Sequence, residues 1–169
     1  MLRDKDLDKI ELFDDVLYEK YSDDPTNILN YMFVSLEAAL EWLTGRLEKQ
    51  TGIKTALQKN GKLVHVDKSI RSVLIQSAQE ILMNVPTHAG ARKASVSLNQ
   101  NGKGVSVTIE DDGIGLTDSS IDSLIRHEGP GFLKIRERIH HLGGDLSVES
   151  KRDQGTRVTI TVPPSMRKH

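Results

Sequence analysis

The sequence has no cysteine among its 169 residues. Disulfides, thiolate zinc sites and a cysteine nucleophile are therefore excluded, and a reducing compartment is compatible with the chain. Aromatic residues are scarce, at 4%, and there is no basic run, so the stacking platform and cationic stripe of a nucleic-acid-binding protein are both missing. A net charge of −1 gives the whole chain no bias toward polyanions or anionic membranes. No apolar run approaches the ~18 residues of a membrane span, and no signal peptide opens the chain. This stretch is expected neither to contact a membrane nor to carry an export signal, and a cytoplasmic setting suits it.

What remains is the composition of a soluble globular protein, 37% hydrophobic and 28% charged, long enough for one domain with a core. Charge is uneven: residues 1–25 hold nine acids and four bases. They read as an acidic linker or a partly ordered segment. Asp24 and Pro25 form a helix start, an acceptor cap followed by proline in the first turn. The helix predicted over 26–52 carries Ile28, Met32, Leu36, Ala39, Leu40 and Leu43 on one face, with Trp42 and Leu47 at its border, and Gly52 ends it. A domain over 53–164 and a tail over 165–169 complete the chain.

Within that domain Ile53, Thr55 and Leu57 alternate as a short strand before the turn signal Asn60-Gly61. Asp67 caps a helix predicted to reach His88, with Ile70, Val73, Leu74, Ala78, Ile81 and Leu82 on its apolar side and Gly90 beyond it. Ala94-Val96-Leu98 and Val105-Val107-Ile109 alternate on either side of Asn99–Gly102, a hairpin signature. Residues 112–131 contain five glycines and prolines and little periodicity beyond a turn at 121–125; a loop of that length is usually functional or disordered. A helix from Phe132 to Leu142 ends at Gly143-Gly144. Strands at 146–150 and 157–162 pair across Asp153–Gly155. About three helices and five strands, the strands mostly in hairpins, predict an α+β fold, a two-layer α/β sandwich with a mixed, mostly antiparallel sheet and helices on one face.

Four clusters carry chemistry. Glu80, Asn84 and His88, at i, i+4 and i+8, share one face of the second helix, away from its apolar side. Spacing alone does not separate a ligand-facing stripe from a solvated face. Pro86 removes a backbone donor and should kink or end the helix. In "EDDGIG", residues 110–115, a strand runs into carboxylates and glycines. A carboxylate there can accept from an amino group, and glycines let a ring approach the backbone; a plain Asp-Gly turn would read the same. Gly129-Pro130-Gly131 opens a helix, where free N–H groups favour phosphate. Gly155-Thr156, in the last hairpin, is the weakest of the four.

In order and spacing these clusters closely resemble the boxes of the catalytic ATP-binding domain of histidine kinases. "QEILMNVPTHAGA" resembles the N box, "DDGIG" the first glycine box, "GPGFLKIRERIHHLGGDLSVES" the second and "GTRVTITVP" the last. "SLEAALEWLTGRLEKQTGI" is similar to the segment preceding this domain in nitrate-sensor-like kinases, so the resemblance runs from about Leu36 to Pro163. It implies the Bergerat fold, shared with type II topoisomerase ATPases and heat-shock-90 chaperones, and ATP with Mg²⁺. It also implies roles. Asn84 would hold Mg²⁺ by its side-chain oxygen, and Glu80 would act as the base or position the attacking group. Asp111 would read the adenine amino group, with Gly113 and Gly115 admitting the ring. Residues 116–128 would form the lid, Gly129 and Gly131 its hinge and phosphate-binding end, with Phe132 beside them. His88 would line the phosphate side, and Thr156 would fix water near adenine.

The chain departs from the family pattern at Pro86 and Thr87, where a basic residue is usual, at Phe132, where Leu is usual, and at Lys134, where a small residue is common. Lys134 is either a replacement cation or a solvated helix lysine. No histidine lies upstream of Gly52, so the acceptor domain is expected to be absent and the chain to be a fragment, or a kinase half acting on a partner. Its end six residues after Pro163 suits a natural C-terminus. The partners implied are ATP, a histidine-bearing dimerisation domain of the same or another kinase, and a response regulator. A stand-alone serine kinase of the anti-sigma type and a degenerate, non-catalytic interaction module are the alternatives.

Overall fold

The computed structural model describes residues 36–61, 66–84, 90–115, 130–163 and 165, at Asn84 and 130–133 the backbone alone. Among them are α1 (Leu36–Thr51), β1 (Lys54–Gly61), α2 (Lys68–Asn84), β2 (Lys93–Asn101), β3 (Gly104–Asp111), α3 (Pro130–His141), β4 (Asp145–Ser150) and β5 (Thr156–Val162). The strands form one sheet in the order β1-β2-β3-β5-β4.

Alternation along the strands sorts the two faces of the sheet. Three apolar rows cross it in register: Val96, Ile109, Val158 and Val148; Leu98, Val107, Ile160 and Leu146; and Val105 beside Val162. All are buried except Val148, which packs at the core's edge. The intervening rows are polar, Ser97-Thr108-Thr159-Ser147 among them, with the Thr108 and Thr159 hydroxyls 3.4 Å apart. In another row Arg157 pairs with Glu110 and, at 3.7 Å, with Glu149. One face thus receives the helices and the other is hydroxylic and charged. This is the two-layer α/β sandwich expected, with a mixed, mostly antiparallel sheet.

The helices supply the other half of the core. Leu40 of α1, Ile70 and Leu74 of α2, and Ile135 and Ile139 of α3 are fully buried, and cutting any of them to alanine should cost about 2–5 kcal/mol. The apolar side expected for the second helix is the buried one, with Ile75 added to it and Val73 only partly buried at its margin. Gly52 ends α1 as expected: its N–H donates to Glu48 O at 2.9 Å. Glu48 then ties α1 to β1, its Oε2 accepting from Thr55 N (3.2 Å) and Thr55 Oγ1 (2.9 Å). α3 closes with paired bonds, Gly144 N to Ile139 O at 2.9 Å and Gly143 N to His140 O at 3.0 Å, the Schellman arrangement.

The parallel pair that makes the sheet mixed is β1 with β2, because α2 carries the chain back across the sheet and a crossover gives parallel neighbours. Three details differ from the sequence reading. β1 runs through Asn60 to Gly61, its last residue. The β2–β3 hairpin turns at Gly102-Lys103, three residues beyond the start of the expected turn, with Asn101 opposite Gly104. Gln100 stays in the strand, buried, its amide donating to Glu37 Oε1 of α1 at 3.2 Å. Finally, α3 begins at Pro130 rather than Phe132, since proline suits the first helical position. The predicted helix start at Asp24-Pro25, the turn at 121–125 and the lid at 116–128 lie outside the described residues.

Candidate functional site

The apolar rows end in a polar one. Ala94, Asp111, Thr156 and Ser150 stand side by side on the last rungs of β2, β3, β5 and β4. Asp111 is in phase with Ile109, Thr156 with Val158 and Ser150 with Val148, so all three turn to the helix-bearing side of the sheet. α2 and α3 both pack on that side, α2 against β3 and β5, α3 against β4 and β5.

Asp111 is half-buried, and that burial pushes its carboxyl above the ordinary aspartate range. Backbone N–H groups of Gly113 and Thr156 pull the other way, and the neighbouring Asp112 adds to the rise. The bond from Gly113 N to Asp111 Oδ1 is 2.8 Å. Asp112 behaves oppositely. Its exposed carboxylate accepts from Arg92 N (2.8 Å) and Lys93 N (2.9 Å), and these backbone donors, Lys93 foremost, hold it below the usual range. Of the two adjacent acids, Asp112 fastens the start of β2, while Asp111 presents a partly desolvated acceptor to the helix side.

The glycine turn is pinned from across the sheet. Asp153 N donates to Ile114 O at 2.6 Å. Gly115 has φ +71°, and a Cβ there would lie 2.0 Å from Lys151 O. Gly155 has φ +79°, and its Cβ would lie 1.9 Å from Asp111 O. Only glycine meets both demands, a left-handed backbone and a close approach. Ser150 Oγ donates to Gly155 O at 2.9 Å. That uses its one proton, so in the 2.9 Å contact between the two hydroxyls Thr156 is the donor. Thr156 is left with acceptor lone pairs beside Asp111.

On the helix layer, Glu80 and Asn84 lie one turn apart on α2. Glu80 is partly exposed, with its Oε1 3.5 Å from Arg138 Nη1 of α3. Asn84 is the last described residue of the helix, and its side chain, like His88 and Gly129, is outside the described residues. Gly131 and Phe132 fall in the first turn of α3, where backbone N–H groups have no partner within the helix. Lys134 is exposed; among the described residues the cation that reaches Glu80 is Arg138, one turn later.

The structure therefore brings Asp111, Gly113, Gly115 and Thr156 together at the strand ends, and sets Glu80 on the helix layer packed over that side. Two contributors were missed. Ser150 could have been found, being in phase with Leu146 and Val148. Arg138 had no local signal, because its partner lies 58 residues away.

Residues 70–166 match the profile of the histidine kinase-, DNA gyrase B- and HSP90-like ATPases. The sensor histidine kinase MctS of Rhizobium johnstonii is 33% identical over 132 residues, 78% of this chain and 28% of that protein. The sensor histidine kinase LnrJ of Bacillus subtilis is 32% identical over 124 residues, 73% of this chain and 29% of that one. The chain spans less than a third of the length of these curated relatives. Among solved structures, the histidine kinase domain of the blue-light activated histidine kinase EL346 of Erythrobacter litoralis superposes with a TM-score of 0.62 at 25% identity, covering 76% of this chain and 61% of that one. Acinetobacter baumannii histidine kinase AdeS shares the fold, with a TM-score of 0.62 at 20% identity over 78% of this chain and 65% of that chain.

Proposed function

The chain belongs to the histidine kinase-, DNA gyrase B- and HSP90-like ATPase family, and from that premise we propose that it is the catalytic unit of a sensor histidine kinase, transferring the γ-phosphoryl of ATP to a histidine on a separate dimerisation domain, for relay to a response regulator. The observation that carries this reading is the inward polar row at the strand ends, in which a half-buried carboxylate and a hydroxyl acceptor flank a glycine turn.

In this reading Asp111 accepts from the adenine amino group. Its burial makes an unpaired charge costly, so a ligand donor is favoured there. Gly113 and Gly115 keep the backbone beside the ring bare of side chains, although at Gly115 the Cβ position itself is taken up by Lys151 O, and Thr156, held by Ser150, offers an acceptor to a bridging water. Gly129, Gly131 and Phe132 serve the phosphate end with backbone N–H groups, and His88 lines it. The imidazole nitrogen bonds to the γ-phosphorus as the bond from that phosphorus to the β–γ bridging oxygen breaks. ADP leaves, and Glu80 orients the imidazole and takes its proton.

Asn84 would hold Mg²⁺ through its amide oxygen. Among the described residues no three His, Asp or Glu side chains gather into a metal cage, and a single protein ligand completed by phosphate and water suits this ion. Bound there, Mg²⁺ would neutralise phosphate charge. The nitrate-sensor-like type is part of the same reading, as is a cytoplasmic setting; no helix among the described residues is long and apolar enough to cross a membrane.

Calorimetric titration with a non-hydrolysable ATP analogue, with and without Mg²⁺, tests the reading. Binding that requires adenine and strengthens with Mg²⁺ is expected. No binding at millimolar nucleotide would move the non-catalytic module to first place. Transfer to a serine on an antagonist protein, and none to histidine, would favour the anti-sigma type.

A further inference from the structure

Arg138 has no part in the reading above, yet among the described residues it is the charged group that reaches Glu80. The two side chains meet across the groove between α2 and α3, Nη1 to Oε1 at 3.5 Å, each 40% exposed. A pair this exposed adds little to stability, because ordering two long side chains offsets most of the attraction. Its placement is more informative than its strength. Arg138 follows buried Ile135 by three residues and precedes buried Ile139, and the paired bonds at Gly143 and Gly144 lock the helix end just beyond it. The guanidinium is therefore presented from a fixed element. The terminal torsion of a glutamate is by itself broad and roughly two-fold, so what meets the Glu80 carboxylate decides where its oxygens point.

We propose that Arg138 is a positioning residue for Glu80, restricting its carboxylate to the rotamer that faces the groove between α2 and α3. The inference rests on the reading of Glu80 as the proton-handling group. It predicts that Arg138 acts on turnover and not on nucleotide affinity, and only while Glu80 is present.

The test is single-turnover hydrolysis of labelled Mg-ATP by this chain, with water as acceptor, in the wild type, Glu80→Gln, Arg138→Gln, Arg138→Lys and the Glu80→Gln/Arg138→Gln double variant. Affinity for a non-hydrolysable analogue and Tm are measured alongside. Glu80→Gln should slow hydrolysis about a hundredfold or more, as loss of a general base does. Arg138→Gln should slow it about two- to fivefold, the population shift that so exposed a pair can hold, with affinity and Tm unchanged. Arg138→Lys should recover most of the rate, since one donor suffices for a single contact. The double variant should be no slower than Glu80→Gln. A loss that multiplies in the double variant, or that follows affinity or Tm, overturns the inference and leaves Glu80 in place. Hydrolysis equal in Glu80→Gln and wild type, including none in either, removes the assignment of Glu80 and the inference with it.

Discussion

Replacing Asp111 by asparagine changes one atom of the side chain and reverses what it offers a ligand. The retained oxygen still accepts from Gly113 N, a 2.8 Å bond in the native protein. The other position becomes an NH₂ donor facing the adenine amino group, itself a donor. A hydrogen bond to a charged group contributes about 1.5–3 kcal/mol, and half-burial places this site near 2 kcal/mol. ATP affinity should fall about 30-fold. A GTP analogue presents a carbonyl where adenine has its amino group, so its affinity should hold or improve, and the preference for ATP narrows from both sides. Stability should move the other way. Burial raises the folded-state pKa of Asp111, so the group favours folding at pH below its unfolded pKa, and this contribution is lost as pH rises through the folded value. At pH 7 the ionised carboxylate is the less comfortable form, and Asp111→Asn should leave Tm unchanged or raise it. Calorimetric titration with both nucleotides and a thermal melt decide the matter. An unchanged ratio of ATP to GTP affinity would refute adenine recognition by Asp111, and a large fall in Tm would make it a structural acid instead.

Asn84→Ala should abolish the Mg²⁺ dependence of analogue binding, read by the same calorimetry, and a full Mg²⁺ response in that variant would remove the metal assignment. Gly155→Ala combines a positive φ with a Cβ 1.9 Å from Asp111 O; it should cost at least about 2 kcal/mol in urea unfolding and weaken nucleotide binding through the displaced strand end. Asp112→Ala should destabilise at pH 7 by about 1 kcal/mol, allowing for its exposure. Because backbone donors lower the folded-state pKa of Asp112, that difference should shrink as pH falls from the unfolded pKa through the folded one, and a series of melts from pH 7 downward would show it.

Much of the sheet was legible because its faces differ in chemistry. Ala94-Val96-Leu98 and Val105-Val107-Ile109 alternate with serine and threonine, and the phase of Ile109 already turned Asp111 inward. The same logic would have included Ser150 had the last hairpin been read for phase as well as for turns. Other features depend on partners distant in sequence. Gln100 looks like a loop residue until Glu37 of α1 accepts its amide. The parallel pairing of β1 follows from where α2 delivers the chain, which eight mostly exposed strand residues do not announce. Pro130 and Gly131 read as loop punctuation, but proline at a first helical position is equally at ease, and local composition does not choose between the two.

The strand order also bears on how the protein is made. β5 follows β4 in sequence, yet it lies between β3 and β4. A nascent chain that has emerged only through Ser150 has an open edge on β3 and no neighbour for β4. It has neither the Gly155 backbone beside Asp111 nor the Thr156 hydroxyl for Ser150. The pocket is thus completed only once β5 has emerged, in a single insertion between β3 and β4 that also closes the core. Until then the growing chain has no ligand to stabilise it, and the exposed β3 edge is where a chaperone, or a second unfinished copy, would attach.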